Sequence, residues 1–222
     1  MYRELQRARI QARSGFRALS LGAKLATMDT RALVMSLALV GVGCSSSSSS
    51  APQAPLQSVE VKTVEGPVRG EIVDTVRAFR GIPYAAPPIG PNRWKAPQAV
   101  APWTDTRDAT QFGAACPQAN LLTGAIDPAT KEDCLTLNVW TPARATAKPA
   151  PVMVWIHGGA FVGGSGAGYD GARLVTRTQA VVVTINYRLG PLGFLGHSAL
   201  AAEDSTKQTG NYGLLDQVAE GN

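Results

Sequence analysis

The segment Val152-Met153-Val154-Trp155-Ile156-His157-Gly158-Gly159-Ala160-Phe161 narrows the fold of this chain more than any other. Five consecutive apolar residues predict a short strand buried on both faces, and the adjoining pair of glycines predicts an abrupt turn at its C-terminal end. Residues 181–185 repeat the apolar pattern. Residues 172–178 between them read as a short helix, so strand, crossover and strand follow in the order of an α/β unit. Upstream, residues 58–62, 68–73 and 75–79 are short β-rich segments set off by the turn signals of Gly66-Pro67 and Gly70. They read as an antiparallel meander. Residues 137–141 form a further strand, and the Pro- and Gly-rich stretch 81–103 reads as a long ordered surface excursion. The expected fold class is α/β, with a small antiparallel N-terminal sheet leading into a mostly parallel central sheet.

The glycines carry a chemical implication as well as a conformational one. Acyl transfer develops negative charge on a former carbonyl oxygen, and N–H groups held in place beforehand stabilise it without reorganising. Adjacent glycines reach the dihedrals this requires and present no Cβ to obstruct an ester. A strand running into a His-Gly-Gly loop supplies such donors in lipases and esterases. The same pattern also occurs as a plain chain reversal, so the neighbouring segments decide between the two.

Four of them do so. Glu132-Asp133-Cys134-Leu135-Thr136-Leu137-Asn138-Val139-Trp140 resembles, almost position by position, the second signature of type-B carboxylesterases and cholinesterases. Phe79-Arg80-Gly81-Ile82-Pro83-Tyr84-Ala85-Ala86-Pro87-Pro88-Ile89-Gly90, followed by Arg93-Trp94, resembles the N-terminal segment of the same family. Asn186-Tyr187-Arg188-Leu189-Gly190-Pro191-Leu192-Gly193-Phe194-Leu195 and Gly210-Asn211-Tyr212-Gly213-Leu214-Leu215-Asp216-Gln217 match two further blocks in the right order. The resemblance implies the N-terminal part of an α/β-hydrolase fold over residues 58–222. It implies that Gly158, Gly159 and Ala160 occupy the oxyanion-hole positions, and that Cys116 and Cys134 form the first disulfide of the family. It further implies that Arg93 with Glu132, and Arg188 with Asp216, are paired buried charges that pin loops around the site. The substrate class it implies is a small-molecule carboxylic ester; separately, no Cys or His cluster has ligand spacing and no phosphate-cradling Gly loop with its Lys occurs in the sequence, so no metal or cofactor is expected.

The formal charge of +5 needs locating before it is interpreted. Residues 1–44 hold seven basic groups against two acidic ones, whereas the remainder is neutral. A neutral body lacks the footprint that phosphate binding needs, which excludes nucleic acid as a partner. Residues 32–43 form an apolar run of signal-peptide length, too short to span a bilayer. The run closes on Gly41-Val42-Gly43-Cys44 and a serine tract, which resembles a bacterial lipoprotein signal with Cys44 as the acylated residue and 45–57 as a tether. Gly41 stands where such signals usually place Leu or Val. An ordinary secretory cleavage is the alternative. Either route exports the chain to the periplasm or beyond, with a membrane anchor in the first case, and Met28 offers a later start. Cys116 and Cys134 remain, and an even pair in an exported chain is more often bridged than free.

The resemblance also calls for a serine nucleophile in a G-x-S-x-G elbow. Residues 1–222 hold no such motif. Gly196-His197-Ser198-Ala199-Leu200 and Gly163-Gly164-Ser165-Gly166-Ala167 each fail at the final glycine, and both serines read as loop residues. His157 and His197 match no general base. The expectation is an ester hydrolase represented by its N-terminal portion. A non-catalytic binding or adhesion module on the cell envelope is the second reading, and a plain envelope anchor the third.

Overall fold

A computed structural model of the chain describes residues 57–120, 123–144 and 149–219. The leader, Cys44 and nearly all of the tether lie outside the described residues. Among those described, seven strands form one sheet in the order β1-β2-β3-β5-β7-β6, with β4 paired to β2. The strands are β1 (Gln57–Lys62), β2 (Pro67–Val73), β3 (Val76–Pro83), β4 (Arg107–Asp108), β5 (Thr136–Pro142), β6 (Val152–Ile156) and β7 (Val181–Ile185). The helices are α1 (Ala172–Thr178), α2 (Gly190–Phe194), α3 (Ser198–Glu203) and α4 (Tyr212–Ala219).

The sheet is mixed and mostly antiparallel, which corrects the expectation of a mostly parallel central sheet. β5 runs antiparallel to both β3 and β7. Only β6 with β7, and the two-residue β4 with β2, run parallel. The reason is connectivity. Parallel neighbours need a crossover, and among consecutive described strands only β6 and β7 have one built on a helix, α1. β3 and β5 are joined instead by a long excursion that returns on the same edge. Their register breaks between Phe79 and Ile82, where Gly81 takes a φ of 68° and its amide donates to Asn138 Oδ1. That bulge turns the end of β3 toward the segment that carries the disulfide.

Burial differs from expectation in one strand. β7 is buried from Val182 to Ile185, whereas every residue of β6 is exposed. Apolar sequence predicts burial only when neighbours exist on both sides. Among the described residues β6 pairs with β7 alone, and its other edge carries no strand.

The core lies in three patches. Val76, Ala78, Trp140, Val175 and Val182 pack α1 onto the sheet. Val68, Phe79 and Ala109 close the N-terminal meander. Ala85, Cys116, Cys134, Leu135, Tyr187 and Leu189 form the third patch, which lies next to the C-terminal end of β6 and bears on the site. Residues 190–194, 198–203 and 212–219 form helices, and His197 caps α3 by accepting the Ala199 amide.

Candidate active site

β6 delivers His157 to the floor of the glycine loop. Parallel pairing brings the ends of β6 and β7 together, so Tyr187, just past β7, reaches His157 from below. The Tyr187 hydroxyl donates to the His157 carbonyl at 2.8 Å, and the two rings stack at 4.4 Å and 18°. His157 is only 3% exposed, and its Nδ1–H donates to the Gly158 carbonyl at 2.9 Å. That tautomer leaves Nε2 unprotonated, buried and without a hydrogen-bond partner among the described residues. Desolvation pushes the ring below its ordinary pKa, against the opposing pull of the Gly158 carbonyl, so the imidazole is neutral at pH 7. Desolvation likewise raises the Tyr187 phenol, with a smaller contribution from Tyr169.

Beyond His157 the backbone turns through a rare sequence of conformations. Gly159, Ala160 and Phe161 have φ of 122°, 52° and 63°. Two successive non-glycine residues in the left-handed region cost roughly 1–2 kcal/mol each. Two local bonds and one long-range bond hold them there. The amides of Val162 and Gly163 both donate to the Gly159 carbonyl, at 3.0 and 3.2 Å, and the Phe161 carbonyl accepts the Gly190 amide at 2.7 Å. A Cβ on Gly159 would collide with the Gly163 carbonyl oxygen, so no other residue fits that place. A Cβ on Gly158 would meet nothing within 4 Å and would point into open space. Gly158, Gly159 and Ala160 are exposed, and among the described residues their amides donate to no protein acceptor. The loop therefore carries three consecutive N–H groups without a protein acceptor among the described residues, at exposed positions next to the buried His157 ring.

The other residues singled out from the sequence surround this loop without entering it. Cys116 and Cys134 are bonded, with Cα atoms 5.1 Å apart, and both are buried. Arg188 and Asp216 are closed from solvent at 3% and 0% side-chain exposure. Arg188 Nε and Nη2 donate to the two Asp216 oxygens at 2.8 and 2.6 Å, and the Arg188 amide adds a third bond at 3.0 Å. This ties α4 to the segment after β7. Arg93 donates twice to Glu132 at 2.7 Å, but that pair is part-exposed, at 37% and 28%, and not buried. The guanidinium sits on a surface loop, where solvent reaches one side of it. Three residues that hold the loop were given no role from the sequence: Tyr187 and Asn186, which open one of the matched blocks and of which Asn186 Oδ1 accepts the Gly166 amide at 2.8 Å, and Gln118, which lies in none of them. Gln118 follows Cys116 by two residues, which is its one sequence signal. Among the described residues no three His, Cys, Asp or Glu side chains gather as metal ligands.

A strand running into a His-Gly-Gly loop in an α/β sheet is also found in lipases and esterases. The carboxylesterase family model matches residues 57–220, and the chain belongs to that family. It is 46% identical over 160 residues to the fumonisin B1 esterase of Sphingopyxis macrogoltabida, covering 71% of this chain and 29% of that one. It is 46% identical over 164 residues to the para-nitrobenzyl esterase of Bacillus subtilis, covering 72% and 32%. Among solved structures, a PNB esterase superposes with a TM-score of 0.64 at 45% identity, over 72% of this chain and 32% of that one. The chain thus spans about a third of the length of the relatives it matches.

Proposed function

We propose that this chain supplies the oxyanion-hole portion of a serine carboxylic ester hydrolase acting on small-molecule esters. The observation that carries the reading is the turn at Gly158 to Ala160: exposed residues whose amides have no protein acceptor among the described residues, in a turn held by backbone hydrogen bonds, beside open space at the Gly158 Cα. In the reaction, a serine Oγ adds to the ester carbonyl and its proton passes to a base; the carbonyl oxygen becomes an anion facing the amides of Gly158 and Gly159, with Ala160 as third contributor. Collapse of the adduct breaks the C–O bond to the alcohol, which leaves with the proton held by the base, and water then adds to the acyl-serine through the same steps to release the acid and the free serine. The serine, its base and its acid belong to the part of the fold that residues 1–222 do not match, so these residues alone turn over no ester. The leader is proposed to export the chain, with Cys44 as a lipid-anchor position.

Joining residues 57–219 to the remaining two-thirds of the Bacillus subtilis para-nitrobenzyl esterase tests the reading. The hybrid is expected to hydrolyse a p-nitrophenyl acyl ester. Residues 1–222 by themselves are expected to show no turnover above a heat-denatured control and no labelling by a serine-directed phosphonate. A folded but inactive hybrid, or a labelled and active 222-residue chain, contradicts the proposal.

A further inference from the structure

The glycine loop has a second limb, from Gly163 to Gly164, and a side chain from the disulfide segment holds it. Gln118 Oε1 accepts the Gly164 amide at 2.8 Å, and Gln118 Nε2 donates to the Gly164 carbonyl at 2.9 Å and to the Cys116 carbonyl at 3.1 Å. One carboxamide thereby satisfies both backbone groups of a single residue and fixes it in two directions. The glutamine is itself well anchored. Its carbonyl accepts the Asp127 amide at 3.0 Å, the neighbouring Ala115 carbonyl accepts the Lys131 amide at 3.0 Å, and Cys116 sits 1% exposed in the core patch with Cys134, Leu135 and Tyr187.

Gly164 in turn backs onto the first limb. With φ at 118°, it lies so close that a Cβ there would collide with His157 Nδ1 and come within 2.6 Å of the Gly158 carbonyl oxygen. The bond from His157 to Gly158 is therefore packed from behind by Gly164. No cis peptide occurs among the described residues, so the carbonyl of Gly158 and the N–H of Gly159 point in opposite directions across one plane. Holding that carbonyl toward His157 and Gly164 turns the Gly159 N–H outward, to the exposed side of the loop.

We propose that Gln118 is a positioning residue for the oxyanion loop: it seats Gly164 against the His157–Gly158 hydrogen bond and so sets the direction of the Gly159 N–H. The assignment of purpose rests on the oxyanion reading, but the geometry can be measured with no ester present. Hydrogen exchange followed by NMR on the full chain compares the wild type with Gln118→Ala and Gln118→Glu. Gln118→Ala is expected to speed exchange of the Gly164 amide about tenfold, and those of Val162 and Gly163 with it, because loss of one bond loosens the whole turn. The amides of Val182 and Val183 in β7 keep their protection. The nitrogen shifts of His157 move from the pure Nδ1–H form toward a tautomer mixture. Gln118→Glu keeps an acceptor for the Gly164 amide but turns a carboxylate oxygen onto the Gly164 and Cys116 carbonyls, and is expected to leave Gly164, Val162 and Gly163 exchanging faster than in the wild type. Acceleration confined to Gly164, acceleration spread equally through β7, or an unchanged His157 tautomer would each overturn the proposal. Should the alanine variant fail to fold, a folded Gln118→Met chain, close in shape but unable to make either bond, whose Gly164 amide stays as protected as in the wild type overturns it as well. An inactive hybrid esterase would count against the oxyanion reading alone and leave these exchange results to stand on their own.

Discussion

Asp216 and His157 show how single buried groups govern this region in different ways. Asp216 is fully buried and is the sole carboxylate bonded to Arg188 among the described residues. Removing one partner of such a pair strands the other charge in a low dielectric, which costs more than the intact pair contributes. Asp216→Asn is expected to lower unfolding free energy by about 3–5 kcal/mol in urea titration, whereas the double replacement Arg188→Met with Asp216→Leu loses much less. His157 acts through protonation. Its folded pKa lies below its ordinary 6.5, so within that window the unfolded chain binds a proton that the folded chain does not. Acidification through it therefore favours unfolding. The urea midpoint should fall between about pH 7.5 and 5.5, and by less in His157→Gln. At this scale the sequence was legible where motifs marked it, as at Cys116–Cys134 and the glycines. Gln118 and the His157 ring were not legible, because their roles depend on which distant carbonyl each meets, and local pattern does not encode that.

Elements were read well where composition alone decides them. The limits of β6, α1 and β7 follow from runs of apolar or helix-favouring residues closed by glycine or turn signals, and the observed bounds coincide with the sequence reading. Direction and burial were not available from the same runs. Whether β5 runs with or against β7 depends on the path between them, and whether β6 is covered depends on what lies at its far edge. Its five apolar residues are 45–62% exposed among the described residues. A flat apolar edge of this kind templates pairing between molecules. Val154→Lys, which charges the middle of that edge, is expected to raise the monomer fraction of the 222-residue chain in light scattering. An unchanged distribution would show that the edge is not what associates.

At the scale of the whole molecule, three segments of the described residues meet at one loop. The disulfide segment, the residues after β7 and the end of β6 converge on the loop from His157 to Gly166. The central claim is that the amides of Gly158 to Ala160 receive the charge formed in ester cleavage. It is tested most directly by replacing the peptide bond at Gly158 with an ester, through incorporation of glycolic acid in the hybrid enzyme, which deletes one N–H and leaves the shape intact. The account predicts that kcat falls on the order of 10²–10³-fold while KM and the melting temperature change little. An unchanged kcat in the folded, substituted enzyme would contradict it.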